Sequence, residues 1–181
     1  MSIYKKVYAK LDGDILYKPH KYLGYLLSPN IKSFYFRKYS KEHYYTNNFG
    51  WRVESANVKT SYTDFFIIGA SLVMGTGVEF KDTIGNLLSK RINKEISNIG
   101  VGGYNDIQIL RKIDLDSSKI KPKLVILIYE DLIGRSFRSN ALQDIVNSPF
   151  FRINIKTNKF KLIESNELPY FFFKRFVNLE K

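Results

Sequence analysis

The sequence predicts an α/β fold in which a parallel sheet carries helices on both faces. Two apolar runs, Phe65–Ile68 and residues 124–129, have the composition of strands that are buried on both sides. Between them lie two segments with helical spacing, separated by a short strand-like segment at residues 96–99. This βαβαβ pattern favours right-handed crossovers and a three-layer arrangement of helix, sheet and helix.

Residues suited to helix starts precede both helical segments. Asp82 is a candidate N-cap for the first helix, and Asn105 or Asp106 can cap the second. The apolar positions of the first helix are Ile84, Leu87, Leu88, Ile92 and Ile96. Those of the second helix are Ile107, Leu110 and Ile113. Both segments are therefore expected to pack one apolar face against the sheet.

The chain divides by composition near residue 60. Residues 1–60 are rich in aromatic side chains without clean periodicity, and we expect an irregular leader, with short strands at most, packed on the core. Residues 61–181 are expected to form the α/β domain. A short helix is expected over residues 140–147. Alternating apolar residues near 151–163, interrupted at Thr157 and Asn158, predict an inserted β-hairpin.

The composition excludes several kinds of chemistry. The 181 residues include no cysteine, so disulfides, thiolate metal sites and a cysteine nucleophile are excluded. The two histidines, His20 and His43, are too few for a histidine-rich metal centre. We therefore expect no metal and no cofactor, and any histidine base within this chain must be one of these two residues.

The net charge of +12 admits nucleic acid, an anionic membrane surface or an acidic partner. The lysines are mostly scattered singly, and the cluster Lys119, Lys121 and Lys123 is not interleaved with aromatic residues. This pattern does not favour nucleic acid. No apolar run approaches the ~20 residues of a membrane span, and the start of the chain lacks a signal-peptide pattern. We expect a cytoplasmic protein, with association with the cell envelope left open.

Three loops are expected to converge at the carboxyl edge of the predicted sheet, where α/β proteins place functional residues. They are residues 69–71, 100–104 and 129–132. The first loop lacks the ending of a P-loop, the third glycine of a dinucleotide fingerprint and the G-x-S-x-G pattern of a nucleophile elbow. What remains is Ser71, which on this loop alone suits a helix cap as well as a nucleophile.

The three blocks together resemble the SGNH hydrolases, also called the GDSL family. They read FIIGASLVMGTGVEFKDTIGNLLSKRI, SNIGVGGYNDIQIL and KPKLVILIYEDL. The family has Gly-Asp-Ser in the first block, Asn-x-Gly-x-x-Gly-Tyr in the second, and Asn-Asp after the strand of the third. YLGYLLSPN and TNNFGWR resemble the leader of many bacterial members, so the likeness runs from about Tyr22 to Leu132. It implies a flavodoxin-like αβα sandwich.

The resemblance also implies a chemistry, namely ester hydrolysis or acyl transfer through a serine. Ser71 matches the nucleophile. The backbone N–H groups of Ser71 and Gly103 match two donors of the oxyanion hole, and Glu130 stands at the position of the third donor, an asparagine. The implied substrate is a small-molecule ester or an acylated carbohydrate.

Three departures from the family pattern weaken that chemistry. Ala70 replaces the aspartate before the serine. Glu130, followed by Asp131, replaces the asparagine donor, and an ionised carboxylate repels a developing oxyanion. The family's Asp-x-x-His block is absent, while His20 and His43 lie in the leader and match no motif. Without a base, a serine hydroxyl is a poor nucleophile near neutral pH.

We therefore expect this chain alone to have weak activity or none, and to lack the carboxyl-terminal part of the family fold. Two explanations stay open. A continuation of the chain supplies the aspartate and histidine, or the protein is a degenerate member that binds an acyl group, a sugar or another protein. The apolar strand at residues 124–129 also needs a further neighbour. The hairpin at 151–163, a second copy in a homo-oligomer, or a carboxyl-terminal continuation can each provide it.

Overall fold

The computed structural model describes residues 16–36, 41–58, 63–129, 150–154, 156–157 and 159–163. The strands are β1 Tyr17–His20, β2 Gly24–Leu27, β3 Lys32–Phe36, β4 Lys41–Thr46, β5 Arg52–Val53, β6 Phe65–Ile68, β7 Ile96–Asn98, β8 Leu124–Leu127, β9 Phe150–Asn154 and β10 Lys159–Ile163. The helices are α1 Ser71–Met74, α2 Ile84–Ile92 and α3 Asp106–Ser117, with a 3₁₀ turn at Phe80–Asp82. None of the helices in these ranges is long and apolar enough to cross a membrane.

Six strands form one mixed sheet in the order β3–β4–β5–β7–β6–β8. β6 pairs in parallel with both β7 and β8, so the predicted βαβαβ unit is present. β5 pairs antiparallel with β7, and β4 and β3 follow in antiparallel order. The predicted parallel pairing is confirmed for β7, β6 and β8, but the sheet as a whole is mixed because the leader adds three antiparallel strands to the β7 side.

Helices cover both faces of this sheet. Successive residues of β6 point to opposite faces. Ile67 faces α2, where its Cγ2 lies 2.9 Å from the position of a Cβ built on Gly85. Phe66 faces the other way and packs on Trp51, whose indole N–H donates to Asp116 of α3 at 2.8 Å. The protein therefore belongs to the α/β class, with α2 against one face of the sheet and α3 on the side of the other face.

The boundaries of α2 differ from the predicted ones at both ends. Thr83, not Asp82, is the N-cap, and its hydroxyl accepts from the backbone N–H of Asn86 at 3.3 Å. Asp82 belongs to the preceding 3₁₀ turn. The helix ends at Asn93, whose φ of 52° lies in the left-handed region. Ile96 consequently lies in β7 and not on the apolar face of α2.

Asn105 caps α3, as one of the two predicted alternatives. Its side chain accepts from the backbone N–H of Gln108, and the Gln108 side chain accepts from the backbone N–H of Asn105, both at 3.0 Å. This reciprocal pair is a capping box. Leu110, predicted to face the core, is 60% exposed, and Ile109 is buried in its place.

One hydrophobic cluster unites the leader with the α/β unit. Its members from the leader are Leu16, Tyr17, Tyr25, Leu27, Ile31, Tyr44 and Trp51. Its members from the later segments are Phe66, Ile68, Ala70, Met74, Ile99, Val101, Tyr104 and Ile109. The change of composition near residue 60 is therefore not a boundary in the packing.

The predicted hairpin is present, formed by β9 and β10 with Asn154 opposite Lys159. It makes a separate two-stranded sheet and does not pair with β8. Within the described ranges β8 therefore ends the strand order, and Leu124 and Leu127 are 54% and 46% exposed. β8 is also shorter than the predicted strand over 124–129. The helix predicted at residues 140–147 lies outside the described residues.

Candidate functional site at the carboxyl edge of the sheet

Ser71 is the first residue of α1 and lies just beyond the carboxyl end of β6. Gly69 and Ala70 carry the chain across that edge. Ala70 is the N-cap, with φ −89° and ψ −136°, and no side chain caps the helix. Ser71 is thus not a helix cap. Its side chain is half-buried, and its hydroxyl has no hydrogen-bond partner among the described residues.

The loop after β7 lies directly against the loop that carries Ser71. The backbone N–H of Val101 donates to the carbonyl of Gly69 at 3.2 Å. A Cβ on Gly100 would stand 2.8 Å from the backbone N of Met74, so only glycine permits this approach. Gly103 has a φ of +80°, which again favours glycine. The structure therefore brings together the two loops that contain Ser71 and Gly103.

Asn98 ties these two loops together at the end of β7. Its Nδ2 donates to the carbonyl of Val73 in α1 at 2.5 Å, and its Oδ1 accepts from the backbone N–H of Gly100 at 3.0 Å. The side chain is 2% exposed. This double contact explains why the first residue of the block beginning Asn-x-Gly is a short amide.

Two buried tyrosines attach the leader to the same glycine-rich loop. The Tyr25 hydroxyl donates to the carbonyl of Gly102 at 2.9 Å, and the Tyr104 hydroxyl donates to the carbonyl of Tyr25 at 2.6 Å. Burial raises the pKa of Tyr104 well above its usual range, so this hydroxyl stays a donor. Gln108 adds a bond from Nε2 to the carbonyl of Leu23 at 2.6 Å. The hairpin of β1 and β2 thus supports the backbone around Gly103.

His43 lies toward the opposite end of the sheet from Ser71. The pairings Thr46–Arg52, Arg52–Asn98 and Asn98–Ile67 put these residues in one row across the sheet. His43 precedes that row on β4 by three residues, which is roughly 10 Å toward the amino ends of the parallel strands. Its Nδ1 is 3.1 Å from Glu79 Oε1, and the contact with His43 lowers the pKa of Glu79 against the opposing effect of burial.

His20 is occupied in the turn between β1 and β2. Its Nδ1 accepts from the backbone N–H of Leu23 at 3.2 Å. Burial lowers the pKa of His20, and the positive charges of Lys119 and Lys112 lower it further. These lysines belong to the carboxyl-terminal part of α3 and the turn after it, whereas α3 begins next to the glycine-rich loop. Neither histidine is therefore placed at the Ser71 edge.

The third predicted contributor lies outside the described residues. Ile128 continues the pairing of β8 with β6 by one more residue, since its backbone N–H donates to the carbonyl of Ile68 at 2.9 Å. Tyr129 ends this stretch and is 55% exposed. Glu130 and Asp131 come next in the sequence and lie outside the described residues.

The cavity that the described residues line does not reach Ser71, and these residues hold no metal cluster. A cavity of about 260 Å³ lies between β5, β7 and α2, and its lining does not include Ser71 or Gly103. No group of three or more carboxylate or imidazole side chains in these ranges is arranged to hold a metal ion.

Two polar residues at this site escaped sequence reasoning. Arg52 and Glu42 are 1% and 3% exposed and contact the backbone just after α1. Arg52 ends the leader motif TNNFGWR, and the only signal was its place in that motif. Glu42 lies in a polar, aromatic stretch and gave no signal.

The comparisons with known proteins add no name to this site. No protein-family model matches the chain, and no curated protein matches its sequence. The chemistry of the site has therefore to be argued from the residues and their geometry.

Proposed function

We propose that the protein is an SGNH-like serine acyl hydrolase or acyltransferase domain with Ser71 as its nucleophile. The observation that carries the proposal is the contact between the Ser71 loop and the glycine-rich loop of Gly103 at the carboxyl edge of adjacent parallel strands. The strand order β7–β6–β8 is also the order with which flavodoxin-like sheets begin, and it supports the proposed sandwich.

In this proposal the substrate is an ester of a small molecule or an acylated carbohydrate. Ser71 Oγ attacks the acyl carbonyl carbon, and the negative charge that forms on the carbonyl oxygen is stabilised by the backbone N–H groups of Ser71 and Gly103. The C–O bond to the leaving alcohol then breaks, and the alcohol takes a proton from water, which had accepted the proton of the serine. Water, or a second alcohol, takes the acyl group from Ser71 and restores the hydroxyl.

The proposed reaction is slow in this chain because the described residues place no base beside Ser71. Neither His20 nor His43 lies at its edge, and no described side chain accepts a hydrogen bond from its hydroxyl, so water is the proposed acceptor of its proton. A serine hydroxyl without a base is a poor nucleophile near neutral pH, so we expect only a low rate that depends on Ser71. An ionised Glu130 in place of the asparagine donor lowers the rate by a further ~10²–10³ or more.

The direct test is hydrolysis of p-nitrophenyl acetate by the wild type, Ser71→Ala and Ser55→Ala. Ser55 is an exposed serine after β5 and serves as the matched control. We expect Ser71→Ala to lose the protein-dependent rate and Ser55→Ala to keep it. Equal rates in the wild type and Ser71→Ala, both folded by circular dichroism, would reject the proposal.

A second candidate function is binding of an acyl group or sugar without turnover, and the placement of both histidines away from Ser71 favours it. This candidate predicts that hexanoate shifts the amide resonances of residues 100–103 equally in the wild type and in Ser71→Ala. It also predicts no Ser71-dependent hydrolysis. Turnover that depends on Ser71 decides for the enzyme.

A further inference from the structure

α1 is too short to maintain its own geometry. It has four residues, which is about one turn, and a single turn does not offset the entropy of ordering it. Its last carbonyls have no partner within the helix. The position of Ser71 at its start therefore depends on whatever holds its end.

The end of α1 is held by the buried guanidinium of Arg52. Nη1 donates to the carbonyl of Met74 at 2.9 Å and also to that of Gly75, while Nη2 donates to the carbonyl of Val78 at 2.6 Å. A guanidinium is a rigid fork of donors, and a cation at a helix carboxyl terminus is favourable. One side chain thus fixes three carbonyls relative to the sheet.

Glu42 holds the same segment through an amide. Its Oε1 accepts from the backbone N–H of Gly77 at 2.9 Å. Tyr44 lies between the two charged residues on the same face of the sheet, with its ring centroid 4.4 Å from the guanidinium carbon of Arg52. Arg52 and Glu42 are here called the leader clamp. Together they bind residues 74–78, Arg52 through backbone carbonyls and Glu42 through a backbone N–H.

The sequence after α1 fits this contact. Gly75 has a φ of 76°, and a Cβ built on it would stand 2.7 Å from Arg52 Nη1 and 2.5 Å from Thr83 Cγ2. A side chain at this position would push the backbone away from the guanidinium. Gly75 and the leader clamp are consequently parts of one arrangement.

The leader clamp carries a free-energy cost, because it buries charged and polar atoms that lack hydrogen-bond partners in the described part of the chain. Glu42 Oε2, Arg52 Nε and Thr76 Oγ1 are buried without a hydrogen-bond partner among the described residues, and ordered water is the usual partner of such atoms. Buried charges are a weak source of stability compared with apolar packing, and their best-attested use is to specify one geometry. A costly contact that contributes little stability but specifies one geometry favours a positioning role for Arg52 and Glu42.

We propose that Arg52 and Glu42 are positioning residues that set the location of Ser71 through residues 74–78. This inference rests on the proposed role of Ser71 as a nucleophile. The clamp acts on α1 from leader strands outside the three blocks that resemble the SGNH family. It makes the leader a functional part of the site, since a displacement of about 1 Å at a reacting group can cost about 10²-fold in rate.

The test compares Arg52→Lys with Arg111→Lys. Lysine keeps the charge but cannot reach three carbonyls, and Arg111 is a matched control that donates to the Tyr22 carbonyl away from α1. Three quantities are measured: the rate of Ser71 labelling by a fluorophosphonate, hydrogen exchange of the Gly77 amide, and the melting temperature. For Arg52→Lys we expect roughly ten- to a hundredfold slower labelling and faster exchange at Gly77. Arg111→Lys should match the wild type in both.

Glu42 gives a second test that does not depend on the folding of Arg52→Lys. Glu42→Gln keeps an oxygen that can accept from Gly77, and Glu42→Leu removes it while filling the space. We expect labelling near the wild-type rate for Glu42→Gln and at least several-fold slower labelling for Glu42→Leu. This rescue by the conservative variant is not expected of a residue that only adds stability.

The two proposals fail in different ways. If the wild type is labelled at Ser71 and Arg52→Lys and Glu42→Leu are labelled equally fast, the positioning role is overturned and the nucleophile stands. If the folded wild type is never labelled at Ser71, the proposed nucleophile is overturned and the positioning role with it.

Discussion

The two sides of β6 differ in how the described chain completes them. On one side β7 and three leader strands extend the sheet, and Trp51, Arg52 and Asn98 are 2% exposed or less. On the other side lies β8, with Leu124 and Leu127 about half exposed and no further strand within the described ranges. Among the described residues the sheet therefore extends by four strands beyond β6 on the leader side and by one strand on the β8 side.

This difference separates the framework of the candidate site from its chemistry. Leader residues hold both loops of the site, through Arg52 and Glu42 on one loop and Tyr25 on the other. The β8 side leads to Glu130 and Asp131, and a carboxylate at position 130 does not suit the oxyanion hole of the proposed SGNH-like site. In this proposal the leader sets the geometry around Ser71, while neither histidine lies beside it.

The largest expected effect comes from truncating one apolar residue on each side of the comparison. Trp51→Ala should lower the free energy of unfolding by about 3–5 kcal/mol, because it removes a fully buried leader side chain that packs on Phe66. Leu124→Ala should cost less than about 1 kcal/mol, because that side chain is 54% exposed. Urea unfolding measures both, and equal losses would contradict the described difference between the two sides.

A smaller effect is expected where the leader contacts the glycine-rich loop. Tyr25→Phe removes the hydroxyl that donates to the Gly102 carbonyl and leaves that carbonyl buried without this partner. We expect a loss of about 1–3 kcal/mol in unfolding free energy. Tyr22→Phe is the matched control, since Tyr22 is 53% exposed and should change stability by about 0.5 kcal/mol or less. A neutral Tyr25→Phe would mean that the hairpin does not support this loop.

The smallest effect is a pH dependence from His20. Burial lowers its pKa below the usual 6.5, so between these values the unfolded chain binds a proton that the folded chain does not. The stability that His20 contributes is complete above about pH 6.5 and is lost as the pH falls toward its folded-state pKa. We expect the melting temperature to drop less between pH 7.5 and 5.5 in His20→Asn than in the wild type. Identical drops would contradict this assignment.

The local signals of the sequence located the central elements well. The runs at Phe65–Ile68 and in β8, and the cap at Asn105, follow from apolar patterning and capping chemistry that act within a few residues. The convergence of the Ser71 and Gly103 loops followed from the rule for parallel strands, and the structure confirms that these loops meet.

The leader could not be predicted in the same way, because its strands are defined by distant partners. β5 has only two residues, and its pairing with β7 at Asn98 is invisible to any local period. Buried charged residues mislead hydrophobic patterning as well. Arg52, Glu42 and Lys112 look like surface positions in the sequence, and each becomes buried only through contacts made elsewhere in the chain. The prediction that the apolar positions of α2 face the sheet was also wrong, since Ile84, Leu87 and Ile92 are 40–54% exposed and Gly85 lies against Ile67 instead.

The central claim is that Ser71 is the acyl-accepting residue at the carboxyl edge of the sheet. The most direct measurement is incubation of the full chain with a fluorophosphonate, followed by mass spectrometry of the intact protein and of its peptides. We expect one slow adduct, located on Ser71 and abolished both by Ser71→Ala and by prior unfolding. An adduct that forms elsewhere, or none on the folded wild type, would contradict the claim and leave the site as a binding surface.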